Sequence, residues 1–290
     1  MAHVDEEIAS QPECWQRALD LAPENLPAPG ERVAVVGCGT SLYIAQAYAT
    51  MRETLGQGET DAFAASEFPA ARRYDRVLAL TRSGTTTEVL AALARVRNTE
   101  TVAITGDPGT PVGDAARHVV ALEFADEKSV VQTRFATTAL VLLRAHLGFA
   151  PADLPEQARR ALEAPLPEGA LDAGQFTFLG TGWTCGVAQE AALKVREASS
   201  SWTESYPAME FRHGPISVSG PASLVWFLGE PPTGLVRQVE STGAKVSTTT
   251  LDPLADLIRA QRLAVGLAAK RGLDPDHPRN LTRSIVLDQP

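Results

Sequence analysis

Three stretches of this chain carry residue types at spacings that could do chemistry. Thr81–Thr87 reads TRSGTTT, with five hydroxyls around Gly84, after an apolar run and before a helical pattern. Hydroxyls, backbone N–H groups and a helix N-terminus together make an anion site suited to a phosphate. The same residues would also serve a capped, hydroxyl-rich turn. Gly37–Ser41 (GCGTS) is a second such loop, and Thr40 and Ser41 are placed there to touch a polyol or its phosphate. Its GxG lacks the third glycine of the dinucleotide fingerprint, because position 42 is Leu42, so no nicotinamide cofactor is expected. Cys38 has no histidine near it in sequence and reads as a small residue in a tight turn rather than a nucleophile. In the third stretch Glu190, Lys194 and Glu197 follow at spacings of four and three, which puts them on one helical face. That face is either an exposed salt-bridge ladder or an acid–base set. His213 then precedes a Gly-Pro turn, a loop position where histidine is free to act as acid or base. The five histidines show no metal-ligand spacing, and no metal or organic cofactor is expected.

The elements that must position these residues repeat along the chain. Val33–Gln46 (VAVVGCGTSLYIAQ) and Phe176–Gln189 (FTFLGTGWTCGVAQ) share Gly37/Gly180, Gly39/Gly182, Ala45/Ala188 and Gln46/Gln189 at an offset of 143. ITGDP at Ile104–Pro108 is echoed by TTLDP at Thr249–Pro253. In each half a short apolar strand (Val33–Val36, Phe176–Leu179) ends in glycines and leads into a helical pattern. Further strands are expected at Val77–Leu80 and Leu224–Leu228, then at Thr101–Thr105 and Val246–Thr249, with a helix at Glu88–Val96. Strands alternating with helices predict an α/β fold of two duplicated units, each a parallel sheet with helices on both faces. Right-handed crossovers put every strand-to-helix turn at one edge of such a sheet, where ligands bind. The expected boundaries are residues 1–150, with an N-terminal helical arm and the phosphate loop, and residues 175–290. A connector over 151–174 carries one amphipathic stretch, Gln157–Leu162. In the second half GEPPTG (Gly229–Gly234) stands in place of the hydroxyl loop. Its prolines and carboxylate would repel a phosphate, so the anion site is expected in the first half alone.

Composition narrows the class. The 290 residues carry a net charge of −9, with 21% charged and 44% hydrophobic side chains, as in a globular chain long enough for two domains. No basic run breaks the acidic balance, so neither nucleic acid nor an anionic membrane surface is an expected partner. The apolar stretch at Thr138–Leu143 is cut by Arg144, far short of the ~20 residues of a membrane span. Asp5, Glu6 and Glu7 near the N-terminus are unlike a secretory signal. Three widely spaced cysteines (Cys14, Cys38, Cys185) predict a reduced compartment, with no disulfide framework and no zinc site. A cytoplasmic location is expected.

With these residues in view the chain resembles the SIS (sugar isomerase) family, as in the isomerase half of glutamine–fructose-6-phosphate aminotransferase and in stand-alone aminosugar-phosphate deaminases and deglycases. The resemblance runs through EIASQP (Glu7–Pro12), GCGTS, TRSGTTTE, VVQTRFATT (Val130–Thr138), the block Glu190–Pro215 and PRNLTRS (Pro278–Ser284). It implies two tandem SIS domains of flavodoxin-like architecture, with the C-terminal tail over the active site. It implies a phosphate held by Ser41, Thr81, Arg82, Ser83 and Thr86, with Gly84 in the same loop. The sugar would meet Cys38, Gly39, Thr40, Val130, Gln132 and Lys194. Glu197 matches the carboxylate that moves a proton between C1 and C2. His213 matches the ring-opening histidine, which in the family comes from the neighbouring subunit and so implies a homodimer. Arg283 stands where the synthase has an imine-forming lysine. A guanidinium cannot form that imine, but it could close over an anionic substrate. The short stretch before Val33 leads us to expect no ammonia from glutamine. The implied activity is isomerisation and deamination of an aminosugar phosphate, with ketosamine-phosphate deglycation, simple aldose–ketose isomerisation and sugar-phosphate sensing as alternatives.

Overall fold

A computed structural model describes residues 2–287; Met1 and residues 288–290, the outer ends of the expected domains, lie outside the described residues. The first part of the chain runs α1 (His3–Ala9), α2 (Gln11–Leu19), β1 (Val33–Gly37), α3 (Thr40–Thr54), β2 (Thr60–Ala64), β3 (Arg76–Thr81), α4 (Thr87–Arg95), β4 (Glu100–Thr105), α5 (Val112–Ala115), β5 (His118–Ala121) and α6 (Arg134–His146). It continues with α7 (Leu154–Glu163), β6 (Gln175–Gly180), α8 (Thr184–Ser199), β7 (Thr203–Pro207), β8 (Ser223–Leu228), α9 (Leu235–Ser241), β9 (Lys245–Ser247) and α10 (Pro253–Lys270).

The apolar runs become the central strands because both of their faces are covered. Every residue of β1 and β8 is buried, as parallel sheets between helix layers require. All pairings are parallel, in a five-stranded sheet of order β2-β1-β3-β4-β5 and a four-stranded sheet of order β7-β6-β8-β9. In the first sheet Val33 faces Thr60 of β2 on one side and Arg76 of β3 on the other. The chain therefore reverses its direction of travel between β1 and β3, and the crevice beyond their carboxyl ends is the topological switch point of the sheet. β6 occupies the same position between β7 and β8.

The strands not anticipated from sequence, β2, β5 and β7, lie at sheet edges. Edge strands are half covered, so TDAFA and TESYP keep polar side chains and lack the apolar run that marks a central strand. The stretch expected to be a connector is more than that. Its helix α7 buries Leu154, Ala158 and Ala161 completely and packs on α2 and α10. The N-terminal arm is core as well, since Trp15 is fully buried and its Nε1 donates to Thr137 Oγ1 at 3.0 Å.

One hydrophobic cluster joins the two sheets, running from Val35 and Tyr48 to Phe178 and Trp226. At its centre α3 packs on α8, and Gly186 makes that contact possible. A Cβ there would come within 2.5 Å of the Tyr43 carbonyl and 2.8 Å of the Ala47 nitrogen. The close approach brings the start of α3 against the middle of α8, and the candidate site is built at that contact.

Candidate active site

The glycine loop after β1 turns the chain sharply into α3. Gly39 precedes the helix at φ +54°, a left-handed conformation that side chains other than glycine rarely adopt, and Gly182 repeats it at φ +58° before α8. Thr40 is thereby the first residue of α3 and is buried. Across from it α8 presents Glu190, Lys194 and Glu197 on one face. These are not a solvated ladder, because Glu190 and Lys194 are essentially inaccessible. Lys194 Nζ donates to Thr40 Oγ1 at 2.8 Å and to Glu197 Oε2 at 2.6 Å, and stands 3.5 Å from Glu190 Oε1. Thr40 Oγ1 in turn donates to Glu190 Oε1 at 3.3 Å. Glu197 is the member of the set with a partly exposed side chain.

The charges in this set compete. Burial works against the Lys194 ammonium, but Glu190 and Glu197 outweigh it and hold its pKa above the ordinary lysine value. Burial pushes Glu190 up from 4.5 to about 7, with Lys194 pulling down and Glu197 pushing up. A carboxyl raised in the native state binds protons there that the unfolded chain has already released, so stability falls as pH rises through that window. Relative to Glu190→Gln, the wild type is expected to lose up to about 3 kcal/mol between pH 4.5 and pH 7. Denaturant unfolding at a series of pH values measures this, and parallel curves would show Glu190 ionised throughout.

Above the set lies a cavity of about 230 Å³ lined by Cys38, Gly39, Thr40, Thr86, Val130, Gln132, Lys194 and Glu197, and by the tail residues Leu281–Ile285. It is below the usual range of about 300–1,000 Å³ for ligand pockets and so suits a small guest. Gln132 Oε1, in its wall, is buried with no hydrogen-bond partner. Burial pushes the Cys38 thiol pKa up, in keeping with a small wall residue rather than a thiolate. Beside the cavity the loop after β3 ends in Thr86, which precedes α4. A larger cavity of about 750 Å³ lies at the matching edge of the second sheet, between Trp183, Met209 and Pro231. Its Arg144–Asp252 pair is closed on itself by two bonds of 2.8 Å, and it has neither the hydroxyl loop nor the buried lysine.

The remaining expected residues fall into four groups. Ser41, Thr81, Ser83 and Gly84 do not line the cavity; Thr81 Oγ1 accepts from the Gly84 N–H at 3.3 Å and Ser83 Oγ from the Thr85 N–H at 3.4 Å, so these hydroxyls shape the loop. Arg82 does not face a phosphate position: its buried guanidinium is spent on backbone carbonyls. Arg283 lines the cavity, but its guanidinium is gripped by both Asp126 oxygens at 2.7 and 2.8 Å and donates to the Glu127 carbonyl, so it is no free cation over the cavity. His213 sits in an exposed turn after β7 and does not line the cavity, so one chain does not bring it to Glu197.

The SIS domain family model matches residues 28–147, the segment that contains the whole first sheet and the loops that follow β1 and β3. Over residues 28–147 the chain is similar to SIS domains. Over 94% of its length the chain is 28% identical to the isomerizing glutamine–fructose-6-phosphate aminotransferase of Methanothermobacter thermautotrophicus, of which the match covers 54%. The enzyme of that name from Gloeobacter violaceus is also 28% identical, over 89% of this chain and 52% of its own. The chain thus spans about half the length of the relatives it matches. Among solved structures, glucosamine-6-phosphate deaminase from Thermotoga maritima superposes with a TM-score of 0.82 and 26% identity, over 99% of this chain and 100% of that one. Tagatose-6-phosphate ketose/aldose isomerase from Escherichia coli shares the fold, with a TM-score of 0.72 and 19% identity over 96% of this chain and 98% of that one.

Around the loops of this SIS-like segment several residues matter that the sequence reading passed over. Glu127 is fully buried and accepts from the Thr133 N–H at 2.5 Å, the Thr133 hydroxyl at 2.7 Å and the Arg134 N–H at 2.8 Å. Glu7, from the N-terminal arm, accepts the Lys128 and Ser129 N–H groups at 2.6 and 3.2 Å. Together they hold the segment that carries Val130 and Gln132. The visible signal was a pair of acids, Asp126 and Glu127, just before an apolar-hydroxyl run, and nothing in their spacing said they would be buried. Among the described residues no helix is long and apolar enough to cross a membrane.

Proposed function

We propose that this protein is a phosphosugar isomerase/deaminase acting on an aminosugar phosphate such as glucosamine 6-phosphate, and that residues 175–290 form a second, diverged SIS domain. The observation that carries the reading is Glu197, a partly exposed carboxylate tied at 2.6 Å to a buried lysine, in a small cavity that Thr86 of the hydroxyl loop also lines. Thr86, the loop backbone and the N-terminus of α4 would take the phosphate. Gln132 Oε1 supplies an acceptor for a sugar hydroxyl, and a buried acceptor left unpaired costs about 1–3 kcal/mol.

In this mechanism His213 of a second copy assists ring opening. Glu197 then removes the proton from C2 of the open-chain aldehyde while O1 takes one up, giving an enolamine, and returns the proton to C1 while the nitrogen gives one up, so that an aminoaldose becomes a C2 imine. Water adds to the imine carbon, the C–N bond breaks, and ammonia leaves with a ketose phosphate. Lys194 donates to Glu197 Oε2 at 2.6 Å and so holds the carboxylate in place for the transfer. The Thermotoga maritima structure is a glucosamine-6-phosphate deaminase, and its match over the whole length supports this reaction over simple binding.

The test is to mix purified protein with glucosamine 6-phosphate and follow ammonia and fructose 6-phosphate together. Equal amounts of both are expected. Thermal stabilisation by a phosphosugar without ammonia would redirect the reading to aldose–ketose isomerisation, deglycation or sensing. Neither turnover nor stabilisation by any phosphosugar would overturn it.

A further inference from the structure

Arg82 is buried in the middle of the phosphate loop, and its guanidinium reaches two other segments. One terminal nitrogen donates to the Ser129 carbonyl at 2.8 Å and to the Val130 carbonyl at 3.4 Å, and the other donates to the Arg283 carbonyl at 2.8 Å. Val130 and Arg283 are both cavity wall, one from the loop before α6 and one from the C-terminal tail. The counter-charge Glu127 stands 3.9 Å away, too far to hydrogen-bond. It balances the arginine without aiming it. The aim is set by three carbonyls on two segments that lie far apart in the chain, one near its middle and one in its C-terminal tail.

We propose that Arg82 is a positioning residue that clamps the tail to the phosphate loop and so sets the shape of the cavity. This rests on the reading of that cavity as the substrate site. A guanidinium suits the task because its donors diverge in a plane and it stays charged when buried; an amide of similar length offers fewer donors and cannot reach both segments. Downstream of the clamp the tail continues onto α4, where the Thr87 N–H donates to the Ile285 carbonyl at 3.1 Å and the Leu287 N–H to Thr87 Oγ1 at 2.9 Å. These two amides report whether the tail is docked.

Hydrogen exchange on Arg82→Gln, with the full chain, tests the clamp. The Thr87 and Leu287 amides should exchange about tenfold faster or more, while Leu78 and Leu80 in β3 keep their protection. KM for glucosamine 6-phosphate should rise about tenfold with a smaller fall in kcat. Because the single change leaves Glu127 without a counter-charge, the double variant Arg82→Gln/Glu127→Gln is measured beside it. A loosened tail in both variants supports the clamp. Unchanged exchange at Thr87 and Leu287, protection restored in the double variant, or loss spread equally over β3 would each overturn it. The exchange experiment needs no turnover, so it separates failure of the clamp from failure of the proposed reaction.

Discussion

Glu197→Gln is expected to lower kcat on glucosamine 6-phosphate by about 10²–10⁴-fold, the usual contribution of a general acid–base group. The size of the effect follows from the division of labour in the cavity. Thr86 from the hydroxyl loop lines the cavity together with Lys194 and Glu197 from α8. In the proposed reaction the carboxylate is the group that moves the proton. Glutamine has the same shape and can still accept from Lys194 through its amide oxygen, so the cavity should keep its form and its affinity. Ammonia release and thermal stabilisation by the same phosphosugar, measured on one preparation, separate chemistry from binding. Turnover within tenfold of wild type would remove Glu197 from the mechanism, and loss of stabilisation would show that the substitution damaged the site as a whole.

Lys194→Met should have the largest effect on stability. The lysine is buried between two carboxylates and a threonine hydroxyl, and truncation leaves the Glu190 carboxyl in the core without its cation. Breaking a buried ion pair from one side costs about 3–5 kcal/mol, which denaturant unfolding above pH 7 will read. The deficit should grow from pH 7 toward pH 9. Glu190 already has a pKa of about 7 because of burial, and without the ammonium its carboxyl holds a proton more tightly still, so above pH 7 the wild type gains an ion pair that the variant does not. Adding Glu190→Gln to Lys194→Met should recover part of the loss at pH 9. A deficit that is the same at pH 7 and pH 9 would mean that the missing packing of the lysine stem dominates, not the unpaired carboxyl.

The α/β class, the central strands and the loops that carry the chemistry were legible because each rests on local physics. An apolar run long enough for a doubly covered strand, a glycine at its end and a helical pattern after it are all contained within about 20 residues. The helical spacing of Glu190, Lys194 and Glu197 was legible for the same reason. Their burial was not, because it depends on α3, some 150 residues earlier, lying against α8 at Gly186. Edge strands β2, β5 and β7 escaped because half-exposed strands carry no apolar run, and α7 passed for a connector because its buried face is short and alanine-rich.

The two arginines show the limit most clearly. In a hydroxyl-rich loop Arg82 invites the reading of a phosphate ligand, and Arg283 that of a cation closing over an anion. A guanidinium has up to five donors and goes where the most acceptors converge. For Arg82 those are carbonyls of the 129–130 loop and the tail, and for Arg283 they are the Asp126 carboxylate and the Glu127 carbonyl. The sequence by itself determined which residues could do acid–base and anion chemistry and which strands and helices would carry them, because side-chain type and short-range periodicity are local. The tertiary structure alone decided which of these groups share the cavity, which carboxyl is buried enough to titrate near neutrality and which charges are spent on the scaffold. Those outcomes depend on dielectric surroundings and on acceptors that arrive from distant parts of the chain.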